Sequence, residues 1–116
     1  MSYAEMTLDQ LFDELREAVM AEFNATGKDG LPAQAAAADR EAAVLNEINK
    51  RPGHDDRFRA LLDDPHPRMR LRGALSLKAT DPRTALRTFR ALSDSNGACS
   101  SSAYLQIGML RRQGIT

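Results

Sequence analysis

The stretch Phe58–Leu92, FRALLDDPHPRMRLRGALSLKATDPRTALRTFRAL, carries the signals that decide the fold. Two proline turns divide it, with helical spacing of apolar residues on either side. In Asp63-Asp64-Pro65-His66-Pro67 each proline pushes its predecessor out of the α region, so one helix ends before the turn and another starts beyond it. The first is a short helix over 57–62, capped by Asp55 or Asp56 and presenting Phe58, Leu61 and Leu62. The second covers about 67–79. Its apolar residues, Met69, Leu71, Gly73, Ala74, Leu75 and Leu77, surround the helix, which predicts a central position. Asp81-Pro82 reads as an N-cap followed by a proline at the first helical position. The helix it opens runs to about Leu92 and turns Ala85, Leu86, Phe89 and Leu92 inward.

The same reading extends in both directions. Thr7-Leu8-Asp9-Gln10 is a capping-box pattern, and Leu8, Leu11, Phe12, Leu15, Val19 and Phe23 follow it at helical spacing. A helix over about 8–25 is predicted, with Gly27 as its stop. After the loop at 27–30 comes Pro32, in the first turn of a helix reaching about Asn49. Its predicted inner stripe is Ala35, Ala38, Ala42, Leu45 and Ile48, mostly small residues that each bury little surface. Arg51-Pro52-Gly53 breaks it. On the other side, the polar run Ser93–Ser101 precedes a last helix over about 102–112, which offers Ala103, Tyr104, Ile107 and Leu110 and stops at Gly114. Helices this short with short links predict stacked antiparallel pairs rather than a long bundle.

Composition supports the helical reading. Ala and Leu fill 32 of the 116 positions, Val and Ile only five, and aromatics make up 5%, which excludes a β-sandwich or barrel. The length predicts a single domain over 1–116. No apolar run approaches the about 20 residues of a membrane span. The opening MSYAEMTLDQ has neither the basic nor the apolar segment of a secretion signal, and the single cysteine fits a reducing compartment, so a cytoplasmic location is expected.

The run Phe58–Leu92 resembles a HEAT-type repeat. One helix closes in Leu61-Leu62, an acidic proline turn follows, Met69-Arg70 stands where the repeat usually has Val-Arg, and Gly73-Ala74 stands where it often has Ala-Ala. Asp81-Pro82 then leads into a second helix carrying Ala85-Leu86. More narrowly, Asn46 to Gly114, including GMLRRQG at 108–114, is similar to a family of small bacterial proteins of this fold. The resemblance implies an all-α, HEAT/armadillo-like stack of about five or six helices, a stub of an α-α superhelix. Such units bury their cores against neighbours and use the concave face for a partner. It brings no activity with it. By analogy with compact bacterial HEAT-like proteins that neutralise toxins, an immunity-type role is one expectation.

Candidate chemistry is sparse. His54, Asp55, Asp56, Asp63, Asp64 and His66 include metal-ligating types, but they lack metal-site spacing and sit where caps and turn acceptors belong. No metal is expected. Cys99 with His54 or His66 offers a thiol and a base, yet it lies in a Ser/Gly-rich stretch with no local catalytic signature and is expected to be an ordinary, oxidisable loop thiol. Neither G-x-G-x-x-G nor G-x-x-x-x-G-K-[ST] occurs, so nucleotide binding through those loops is excluded and no cofactor is expected. No residue is assigned a catalytic role, and the chain is not expected to be an enzyme.

Charge is the most informative surface feature. Residues 1–50 hold ten acids and four bases, whereas 51–92 hold five acids and ten bases. Arg68 and Arg72 are four apart on the fourth helix; Arg83, Arg87 and Arg90 share one face of the fifth. These five are the candidate partner-binding residues. The expected partner is another protein, with the chain itself a monomer or weak homodimer. Nucleic-acid binding is the alternative, disfavoured by the zero net charge and by the lack of aromatic residues for stacking. The deciding observation is whether Glu14, Glu17 or Glu22 abuts those arginines.

Overall fold

The computed structural model describes residues 2–25 and 30–116 and is 77% helix, with six α-helices and no strand among the described residues. The contacts divide the chain into two compact units, Met1–His54 and Asp55–Thr116.

In the first unit a single 3-10 turn, Tyr3–Glu5, precedes α1 (Leu8–Asn24) and α2 (Gly30–Ile48). The capping box is formed. The Thr7 hydroxyl accepts from the Gln10 N–H at 3.2 Å, and the Gln10 side-chain carbonyl accepts from the Thr7 N–H at 2.9 Å. Gly27, the expected stop of α1, lies outside the described residues; the helix has already ended at Asn24. Leu11, Phe12, Leu15, Ala18 and Val19 are buried, and α1 packs on α2. Phe23, expected inward, is 39% exposed, because the last turn of α1 runs past the buried part of its stripe.

The face of α2 differs from the predicted one. Ala35, Ala38 and Ala42 are exposed, and the buried side is Gly30, Ala37, Val44 and Ile48. With alanine on so many sides the pattern has little contrast, and the larger Val44 and Ile48 set the register instead. Beyond α2, Arg51 does more than interrupt the helix. Its guanidinium donates to the carbonyls of Met6 (2.7 Å), Tyr3 (3.1 Å) and Ala4 (3.1 Å), and to Glu47 Oε1, fastening the N-terminal turn to the end of α2.

The second unit contains α3 (His54–Ala60), a 3-10 turn (Leu61–Asp63), α4 (Pro67–Leu77), α5 (Pro82–Asp94) and α6 (Ser100–Arg112). Asp55 and Asp56 lie inside the first turn of α3 rather than capping it, where they still favour the positive end of the helix dipole. His66, not an aspartate, caps α4: its Nδ1 accepts from the Arg68 N–H at 3.1 Å. Asp81 caps α5 as expected, accepting from the Thr84 N–H at 3.4 Å, with Pro82 behind it. α4 packs on α5 and α5 on α6. Their shared core includes Leu71, Ala74, Leu86, Phe89, Leu92, Ala103, Ile107 and Leu110. Tyr104, predicted inward on α6, is 70% exposed; Cys99 and Ala103 occupy the inner positions of that turn instead.

Gly73 explains how α4 sits so close to the preceding turn. A Cβ there would stand 2.8 Å from the Phe58 carbonyl oxygen and 2.9 Å from Leu61 Cβ, too close for real atoms. A mid-helix glycine costs helix propensity, and here it permits the approach of another backbone.

Candidate functional site

The outer face of α5 follows from its sequence period. With Ala85, Leu86, Phe89 and Leu92 buried, Arg83, Arg87 and Arg90 must face outward, and all three are exposed. Arg87 Nη2 donates to Thr84 Oγ1 at 3.1 Å, which holds that side chain along the helix. No carboxylate pairs with Arg83, Arg87 or Arg90 among the described residues of this unit. Two acids of the unit are engaged elsewhere. Asp64 Oδ1 accepts from the His66 N–H, and Asp81 holds Arg59 at 2.7 Å. Asp94 stands exposed at the last residue of α5.

Beside this row a shallow cleft is lined by Leu62, Arg70, Arg87, Thr88, Ala91 and Leu92. Arg70, absent from the predicted set, joins Arg87 there. One of its N–H groups goes to the Asp64 carbonyl at 3.1 Å, and the guanidinium has further donors to offer. Two guanidiniums over an apolar floor suit a carboxylate flanked by an apolar side chain. Arg68 and Arg72 do not line this cleft. They are half-buried on α4, where Arg72 Nη2 donates to Ser76 Oγ at 3.2 Å and the Arg68 N–H serves the His66 cap. The alternation Arg68, Arg70, Arg72 carried no signal for which member meets α5, because that depends on the rotation of α4 about its axis.

The acids of α1 have their own partner inside the first unit. Arg40 Nε donates to Glu14 at 2.6 Å and Arg40 Nη2 to Glu17 at 2.9 Å. These contacts hold the guanidinium more firmly protonated than usual, the Glu14 hydrogen bond being the largest cause. Glu14 and Glu17 are thus engaged on α2. Residues 1–54 hold ten acids against five bases and 55–116 six against eleven, so the units carry opposite charges of five.

Groups of catalytic type are spent on structure. Cys99 is 2% exposed and packed in the core at the start of α6, not an oxidisable loop thiol as expected, because the helix begins one residue after it. His54 Nδ1 lies 2.6 Å from the Arg51 carbonyl and His66 caps α4. The Asp81 carboxyl is lowered to about 2, first by its hydrogen bond from Arg59 and then by that from Thr84. Among the described residues no three His, Cys, Asp or Glu side chains gather as a metal site requires, and no helix is long and apolar enough to cross a membrane.

No family model, curated protein or solved structure matches the chain.

Proposed function

We propose that this chain is a non-enzymatic protein-interaction module whose α5 face binds an acidic surface of another protein. The observation that carries the reading is the row Arg83, Arg87 and Arg90, exposed and free of carboxylate partners, beside the Arg70–Arg87 cleft with its apolar floor. Amphipathicity puts these guanidiniums in water, and carboxylates of a partner would give them a use there, since guanidinium–carboxylate pairs are directional and gain strength when an apolar neighbour excludes water. The HEAT-type resemblance of Phe58–Leu92 agrees, as such stacks serve mainly to present helix faces to partners. An immunity-type partner in the cytoplasm is the form of this reading that the resemblance favours.

One observation favours a second reading. The basic unit has a net charge of plus five and no carboxylate pairs with its α5 arginines, which is also what a phosphate backbone needs. Against it, Phe58 and Phe89 are fully buried, so α3–α5 offer no aromatic surface for base stacking. Capture from a nuclease-treated lysate of the source cell, on wild type and on R83A/R87A/R90A, separates the two. The expected result is a protein held by wild type, released by salt and lost on the triple variant. Retention that requires intact nucleic acid would overturn the reading.

A further inference from the structure

The link between α5 and α6 holds a reactive pair. Of the chain's four asparagines only Asn96 is followed by glycine. Asn96 and Gly97 are both exposed, just beyond Ser95 at the carboxyl end of α5. Among the described residues Asn96 is also the one non-glycine residue with a positive φ, 53°. Asparagine tolerates that left-handed conformation better than most residues. Together with Ser93, Ser100, Ser101, Tyr104 and Leu105 it lines an open cleft, so water reaches its amide. No hydrogen bond ties that side chain down among the described residues.

Exposure alone does not set this asparagine apart, since Asn46 and Asn49 are exposed too. The backbone nitrogen that follows does. After Asn46 it belongs to Glu47, inside the hydrogen-bonded ladder of α2. After Asn49 it belongs to Lys50, which donates to the Glu47 carbonyl at 3.1 Å. The Gly97 N–H meets the Ser95 hydroxyl oxygen at 3.4 Å, longer than the about 3.2 Å of an ordinary hydrogen bond. Ser95 spends its own proton on the Leu92 carbonyl at 2.7 Å. With no Cβ on Gly97, its nitrogen and Asn96 Cγ can approach one another without steric hindrance from that residue.

We propose that Asn96 is a self-modification site, at which this chain loses ammonia and acquires an aspartate or isoaspartate. Base removes the Gly97 amide proton, and the nitrogen lone pair attacks Asn96 Cγ. As that bond forms, the bond from Cγ to the side-chain nitrogen breaks, and the released nitrogen takes up a proton and leaves as ammonia. The product is a cyclic succinimide. Water then opens the ring at either carbonyl. Cleavage at Cγ leaves aspartate in an unaltered main chain. Cleavage at the main-chain carbonyl leaves isoaspartate, with an extra CH2 in the main chain. Nothing is oxidised or reduced; asparagine and water give the acid and ammonia. Either product adds a negative charge two residues after Asp94, and isoaspartate lengthens the link between two helices that pack on each other. The site is separate from the α5 row and stands whether or not that row binds protein.

The test is to hold the folded full chain in mildly alkaline buffer, sample it over time, digest it with trypsin and weigh the fragments. Fragment 91–111 contains Asn96, and fragment 41–50 contains Asn46 and Asn49 as internal comparisons. Fragment 91–111 is expected to gain the mass difference between an amide and an acid, at residue 96, while 41–50 stays unchanged. Methylation by a protein isoaspartate methyltransferase should mark most of the converted material. G97A should keep the circular dichroism spectrum of wild type and lose most of the conversion. Its added Cβ would come no closer than 3.4 Å to Ser95 Oγ, and Gly97 has no positive φ to strain. Conversion no faster at Asn96 than at Asn46 and Asn49 would overturn the proposal. So would a rate that G97A leaves unchanged, or a product containing aspartate without isoaspartate.

Discussion

The two units hold themselves together by different means. In Met1–His54, α2 turns only Gly30, Ala37, Val44 and Ile48 inward along 19 residues, and polar fasteners supplement the packing: Arg51 on three backbone carbonyls, Arg40 on Glu14 and Glu17. In Asp55–Thr116 close packing of unlike sizes dominates, with Phe89 fully buried and Gly73 making room for the neighbouring turn. Each unit is therefore sensitive to change in a different place. The exposed alanines of α2 leave many positions open to substitution, whereas Gly73 and Phe89 of the second unit are hemmed in. The difference also bears on function. Glu14 and Glu17 of the acidic unit share Arg40 within that unit, whereas no carboxylate pairs with the α5 row of the basic unit.

Substitutions in each unit test this contrast. F89A removes a fully buried side chain from the second unit and should cost about 3–5 kcal/mol, seen as a large fall in the urea midpoint. An unchanged midpoint would refute the assigned inner face of α5. G73A should destabilise by about 1–3 kcal/mol, since backbone and a Cβ, not flexible tips, stand in the way. A gain in stability would show that α4 has room. In the first unit R51A should cost about 1–2 kcal/mol, and hydrogen exchange should quicken at the N-terminal turn while α5 keeps its protection. Uniform loss of protection would mean that the two units unfold as one.

The smallest effect concerns Asp81. Its folded value of about 2 lies below the about 3.9 of an unfolded aspartate, so the stabilisation is complete above about pH 4 and disappears as pH falls through about 2. D81N keeps a capping oxygen and removes the charge facing Arg59. Its thermal midpoint should lie slightly below wild type at pH 7, and the gap should close by about pH 2. A gap that does not change with pH would assign the effect to the cap alone.

How much of this was legible depended on contrast between neighbouring positions. α1 and α5 alternate charged with large apolar residues, so their faces could be read directly, and Thr7–Gln10 and Asp81-Pro82 fixed their starts. α2 could not be oriented because its alanines look alike from every side. On α6 both faces are apolar, and Tyr104 was assigned to the wrong one. At the candidate site the α5 row was readable from spacing within one helix. Arg70 was not, since its meeting with Arg87 depends on how α4 is rotated against α5. Arg51 was equally hidden, for its acceptors lie more than 40 residues earlier in the chain.

The role proposed for the α5 arginines is to serve a protein and not a phosphate backbone. Its most direct test is a titration of labelled duplex and single-stranded oligonucleotides at about 50 and about 200 mM salt, with wild type and R83A/R87A/R90A side by side. No saturable binding to either oligonucleotide is expected at the lower salt concentration, and no difference between the two proteins. Micromolar binding that weakens steeply with salt and vanishes in the triple variant would contradict it.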